Sequence, residues 1–193
     1  MTDVCLMRLL RLQLCGLAVL GATGIAQAES CRAESFRGAS YVVCNFNPAK
    51  DHLRTYWRGN DGRPYRTFDA LAADLKAKGK SLRFAMNGGM YRGDLSPVGL
   101  YIENSIHPAF IVNSTDRKPR DGVGLSSRNK IFFVITKSWV SFYDFARFFR
   151  DRLGCSDALF LDGGEAPGLY APELGRNDSP AHGGYGPIVG VTE

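Results

Sequence analysis

Between Thr67 and Gly79 the apolar residues Phe68, Leu71, Ala72 and Leu75 fall at i, i+3, i+4 and i+7, the spacing of one buried helix face. Thr67 is suited to cap the start, Lys76 and Lys78 to the last turn, and Gly79 to the stop. The stripe returns at Phe142, Phe145, Ala146, Phe149 and Leu153, with Ser141 as the cap, Asp144 in the first turn and Gly154 as the stop. After each helix comes an apolar run too short to be helical, Leu82–Met86 and then Leu159–Leu161. The first runs into Asn87-Gly88-Gly89 and the second into Asp162-Gly163-Gly164. Phe68 lies 19 residues before Asn87 and Phe142 lies 20 before Asp162. Helix, turn, strand and Gly-Gly loop therefore recur at nearly one spacing, and two such strand ends side by side would frame one pocket.

Elsewhere the pattern is of strands. Tyr41–Phe46 and His52–Arg58 read as an antiparallel pair, the second ended by Asn60-Asp61-Gly62. Val98–Ile102 after Pro97, Val123–Leu125, Ile131–Ile135 and a closing Ile188–Val191 are further strands. From Ser105 to Arg120 the signals thin to one short apolar run, Ala109–Val112. The expected class is α+β (mixed α/β): a mixed sheet with two main helices packed against it and an active site at the Gly-rich strand ends.

The first 28 residues change the picture of where the chain works. Arg8 and Arg11 precede an apolar stretch from Leu12 to Ala26, and Ala26-Gln27-Ala28 fits a small-x-small cleavage site. Residues 1–28 are thus expected to be a signal peptide and 29–193 a single domain, periplasmic or secreted. The apolar stretch is short for a membrane span, so no stable span is expected after cleavage. Three cysteines remain, an odd number for an oxidising compartment. Cys31 and Cys44 flank a segment that can turn back at Gly38, so they are the expected disulfide, with Cys155 left as a buried thiol. The formal charge of +5 is spread among both signs, and the densest basic cluster is Arg117, Lys118 and Arg120. That is too little for a nucleic-acid partner.

Candidate chemistry follows from the strand ends. A carboxylate there can act as acid, base or nucleophile, which makes Asp162 the first candidate. Asn87 supplies an amide, and Gly88, Gly89, Gly163 and Gly164 let a ligand approach the backbone and offer N–H groups to an oxyanion. Cleaving a glycosidic bond usually takes a second carboxyl group, and both Glu103, at the end of the Val98 strand, and Glu165 are placed for it. Arg120, beside a glycine turn, carries the fork that fits phosphate oxygens, although a surface ion pair explains it as readily. His52, His107 and His182 have no metal-ligand spacing, and no P-loop, GxSxG or GxGxxG pattern is present, so neither metal nor cofactor is expected.

Taken as a set, Phe84-Ala-Met-Asn-Gly-Gly-Met-Tyr91, Pro97-Val-Gly-Leu-Tyr101, Arg120-Asp-Gly-Val-Gly124, Ala158-Leu-Phe-Leu-Asp-Gly-Gly164 and Gly186-Pro-Ile-Val-Gly-Val191 resemble the phosphodiester glycosidase family, the family of the mannose 6-phosphate uncovering enzyme. The resemblance implies an exported hydrolase that cleaves the glycosidic bond of a sugar 1-phosphodiester. Its partner would be a small-molecule or glycan sugar-phosphate substrate. Carried over, Asn87, Gly88 and Gly89 line the pocket, Arg120 is placed to hold phosphate oxygens and Asp162 is the prime carboxylate. With the residues read above, the expected catalytic set is Asp162, Asn87 and Glu103, and Gly88, Gly89, Arg120, Gly163, Gly164 and Glu165 are expected to bind substrate. Against the family pattern, a central segment between the counterparts of Asn104 and Ser105 is absent, and Glu165, Ala166 and Pro167 stand where small hydroxyl residues are usual. The alternative expectation is a non-catalytic, periplasmic sugar-phosphate-binding or envelope-associated module.

Overall fold

The structure, a computed structural model, describes residues 30–95 and 112–193. The expected signal peptide, the Val98–Ile102 strand, Glu103 and nearly all of the Ala109–Val112 run lie outside those residues.

The class is α+β, and the described strands form two antiparallel sheets in place of one mixed sheet. β1 (Cys31–Phe36), β2 (Ala39–Phe46), β6 (Ile131–Thr136), β5 (Arg120–Ser126) and β7 (Cys155–Gly163) form the first, in the order β1-β2-β6-β5-β7. β3 (His52–Tyr56), β10 (Ile188–Thr192), β4 (Leu82–Asn87), β8 (Leu169–Ala171) and β9 (Arg176–Asn177) form the second, in the order β3-β10-β4-β8-β9. The expected pairing of the Tyr41 and His52 runs does not occur. The short loop after Phe46 crosses between sheets, so β2 pairs with β1 and β6 while β3 pairs with β10.

Alternation along the strands builds four layers. Val42, Cys44, Phe46, Phe84, Met86, Phe133, Ile135 and Val191 meet between the sheets. Tyr41, Val43 and Val134 point the other way, against α2 (Phe142–Arg147) and the wider π-helical turn Phe148–Arg152 that continues it. Ala85, Leu82 and Ile188 meet Phe68, Leu71 and Leu75 of α1 (Phe68–Ala77) on the far side of the second sheet. With both faces covered, the central strands read as nearly unbroken apolar runs. Gly124 lets the second helix lie close: a Cβ there would stand 2.5 Å from Phe149 Cδ1 and 2.8 Å from Cys155 Sγ.

Both helix starts are those expected. Thr67 Oγ1 accepts from Ala70 N at 3.1 Å, and Ser141 Oγ accepts from Asp144 N at 3.1 Å. Ser141 is buried, so Ser141→Ala strands the Asp144 N–H and should cost about 1–2 kcal/mol, readable in urea denaturation. Cys31 and Cys44 are register partners across β1 and β2 and are joined by a disulfide. Cys155 is a buried free thiol pushed up to about 12, by burial first and by Asp157 second. The folded protein should therefore resist iodoacetamide at pH 8 and react only once denatured.

Candidate functional site

The two Gly-Gly loops come from different sheets and meet at one end of the sandwich. Asn87 closes β4 and Asp162 lies near the end of β7. A Cβ on Gly89 (φ 129°) would lie 4.0 Å from the carbonyl oxygen of Leu161, so the loop after β4 sits over the end of β7. The recurrence in the sequence thus corresponds to two strand ends facing each other across the layer between the sheets.

Asn87 is fully buried, and its Oδ1 accepts from Gly168 N at 2.9 Å, which pins β4 to the start of β8. Asp162 is half-buried. Its Oδ1 accepts from Gly163 N at 2.8 Å, and burial raises its pKa against the opposing pull of that N–H and of His182. Opposite Asp162 in the ladder stands Asp121, at 0 % exposure, whose Oδ1 accepts from Asp162 N at 2.7 Å. Burial, and then the charge of Asp162, drive the Asp121 pKa well above the carboxylate range. Tyr91 packs on Gly186, and its phenol is raised by burial and by both carboxylates.

Several expected roles are revised by this geometry. Arg120 is 1 % exposed and does not present an open fork. Its Nε donates to Val140 O at 3.0 Å, its Nη2 donates to Asp116 O at 3.1 Å and Oδ2 at 3.3 Å, and its guanidinium lies 3.6 Å over the Phe142 ring. It ties the start of β5 to α2, because adjacent residues on a strand point to opposite faces and the face it shares is that of the helix. The glycine amides are likewise engaged: Gly88 N donates to Pro187 O at 2.6 Å, Gly163 N to Asp162, and Gly164 N to Pro119 O at 3.0 Å. These three serve the turns, not an anion. Glu165 is at the surface, its Oε2 3.6 Å from His182 Nε2. Glu103 is not among the described residues.

Sequence reasoning missed Asp121, Tyr91 and His182 as members of the site. Asp121 was hidden by its neighbour, since Arg120-Asp121 reads as a solvated pair. The signal available was an acid inside a run, Arg120–Leu125, that otherwise pairs as a strand. Beside the polar end, a cleft of about 560 Å³ opens between the sheets, lined by Leu53, Val123, Phe133, Leu159, Leu161 and Gly88 among others. Among the described residues no group of three or more His, Cys, Asp or Glu is placed to hold a metal, and no helix is long and apolar enough to cross a membrane.

An α+β sandwich with an amide and a carboxylate at facing strand ends, and a second carboxylate paired beside the first, is the class that fold and site define. Residues 103–187 match the model of the phosphodiester glycosidase family. That match spans 85 of the 193 residues and falls on the family that the motifs resemble. It is 24% identical over 176 residues to the uncharacterized protein YigE of Escherichia coli (strain K12), a match covering 61% of this chain and 69% of that protein. Since 61% of 193 is about 118 residues, roughly 58 of the 176 aligned positions stand opposite gaps in this chain. The fold is similar to the catalytic domain of zebrafish N-acetylglucosamine-1-phosphodiester alpha-N-acetylglucosaminidase, auto-inhibited by its pro-peptide. That likeness has a TM-score of 0.57 at 12% identity, over 84% of this chain and 81% of that one. A hypothetical protein from Synechocystis is similar at a TM-score of 0.52 and 12% identity, over 84% of this chain and 61% of the other.

Proposed function

We propose that this chain is an exported hydrolase that cleaves the glycosidic bond of a sugar 1-phosphodiester, with residues 1–28 as the export signal and 29–193 as its one domain. The observation that carries the reading is the half-buried Asp162 near the end of β7, a residue of the segment that matches the family, facing the Asn87 loop. In the reaction, water attacks the anomeric carbon while the bond from that carbon to the phosphate oxygen breaks. The phosphodiester leaves as a monoester with the bonding electron pair. Asp162 takes the proton from water, or steadies positive charge on the sugar ring as it develops. Phosphate is a good leaving group, so the step asks little of a general acid. With Arg120 withdrawn into the fold, the His182 side chain, which acts electrostatically on the Asp162 carboxyl, is the group we assign to meet phosphate charge at the rim.

The engaged glycine amides and the gap of roughly 58 positions against YigE favour a second reading, a binding module that keeps the fold without turnover. Incubating the signal-free protein with an N-acetylglucosamine 1-phosphodiester separates the two. Free sugar accumulating in proportion to enzyme and time supports the hydrolase. Saturable binding with no product after long incubation supports the module and ends the hydrolase reading.

A further inference from the structure

The register of β5 and β7 brings two carboxylic acids to the same rung of the ladder, yet only one of them is reachable. Asp162 is half-buried, whereas Asp121 is sealed at 0 % exposure. Asp121 Oδ1 is occupied by the Asp162 N–H at 2.7 Å, while its Oδ2 has no hydrogen-bond partner among the described residues. The Nδ2 of Asn87 is orphaned in the same way, although the Asn87 amide is close enough to favour charge on Asp121. The cation next in sequence cannot help, because Arg120 points through the opposite face of β5. On β6 the residue opposite Asp121 is Ile135. The phenols of Tyr91 and Tyr185 are also within electrostatic reach of Asp121, both raised by burial and so neutral near pH 7. A buried carboxylate with a second carboxylate alongside, and no cation beside it among the described residues, is charged only at high cost.

We propose that Asp121 and Asp162 form an unequal pair in which Asp121 keeps its proton and acts as a positioning residue, holding the Asp162 backbone, while Asp162 alone carries the site's negative charge. Two anions on one rung would repel. Placing the proton on the sealed member leaves the reachable one ionised, the form needed to take a proton or face a cationic sugar centre. His182, which favours charge on Asp162, pushes the pair in the same direction. The use of this charge rests on the hydrolase reading. The order in which the protons leave does not.

The test is a carbon-13 NMR titration of the side-chain carboxyls in the signal-free protein, which needs no substrate. Asp162 should ionise first and Asp121 well after it. In Asp162→Asn the Asp121 midpoint should fall by about one pH unit or more, because a neighbouring charge has gone. In Asp121→Asn the Asp162 midpoint should stay in place, because Asp121 is already neutral when Asp162 titrates. An Asp121 that ionises before Asp162, or one whose midpoint is unmoved by Asp162→Asn, overturns the proposal. So does a fall of a unit or more in the Asp162 midpoint in Asp121→Asn. Should Asp121→Asn not fold, the Asp162→Asn arm decides alone, since it leaves Asp121 untouched. Urea denaturation supplies a second readout. Asp121 is raised in the folded state, so its contribution to stability is complete below its unfolded pKa of about 4 and declines as pH climbs toward the folded value. A wild-type stability that rises across that range relative to Asp121→Asn contradicts the pair.

Discussion

Asp162→Asn should lower release of sugar from a sugar 1-phosphodiester by about 10²–10⁴-fold, the usual worth of a positioned acid or base, while leaving the protein folded. The substitution keeps the shape of the side chain and the oxygen that accepts from Gly163 N. Structural damage should therefore be small. On the hydrolase reading it removes the carboxylate that takes a proton from water or sits against an oxocarbenium-like carbon. Binding of the phosphodiester should persist, or improve where the carboxylate repelled the phosphate, so the loss belongs in kcat more than in KM. Measuring kcat and KM for both proteins, with circular dichroism as the control on folding, checks it. Full activity in Asp162→Asn would move the chemistry elsewhere, and the first place to look would be Glu103, expected from its place after the Val98 run as a second carboxyl group and outside the described residues.

Gly168→Ala should be among the most damaging single-methyl changes in the described chain. A Cβ on residue 168 would stand 2.1 Å from Tyr185 Oη and 2.4 Å from its Cζ. Tyr185 cannot simply swing away: it is 1 % exposed, stacks on Phe68 at 4.4 Å between ring centroids, and donates to Asp178 O at 3.0 Å. Overpacking of this kind costs about 3 kcal/mol at its upper range. For a domain of this size that is a fall in Tm of roughly 6–12 °C. The same methyl would push on the amide that holds Asn87 Oδ1, so the loss of stability should come with a loosened Asn87 loop. Differential scanning calorimetry reads the first effect and amide exchange at Gly168 the second. A Tm within a degree of wild type would mean that β8 can shift away from Tyr185 at no cost.

These two positions also mark how far the sequence can be read. Periodicity and caps located both helices, because local spacing and the hydroxyls of Thr67 and Ser141 set them. The apolar runs located β4, β6, β7 and β10. What could not be read was partnership. Tyr41–Phe46 and His52–Tyr56 are both β-prone and close in the chain, and nothing local says that a five-residue loop carries the second into another sheet. β8 and β9 went unseen because they are short and lie in a Gly- and Pro-rich stretch. At the site, Asp162 and Asn87 were legible as acids and amides after strands. The burial of Arg120 and the sealing of Asp121 depend on which face of β5 meets α2, a tertiary fact that no dipeptide encodes.

The place of β10 has a consequence for the order in which the molecule can assemble. It lies between β3 and β4, so His52 finds its partner only at Thr192, and β3 has no strand to pair with in the second sheet until Ile188–Thr192 arrives. Pairings between such distant parts of a chain are slow and close late. β3 can therefore join the second sheet only as one of the last steps of folding, while the first sheet has all of its strands without β10.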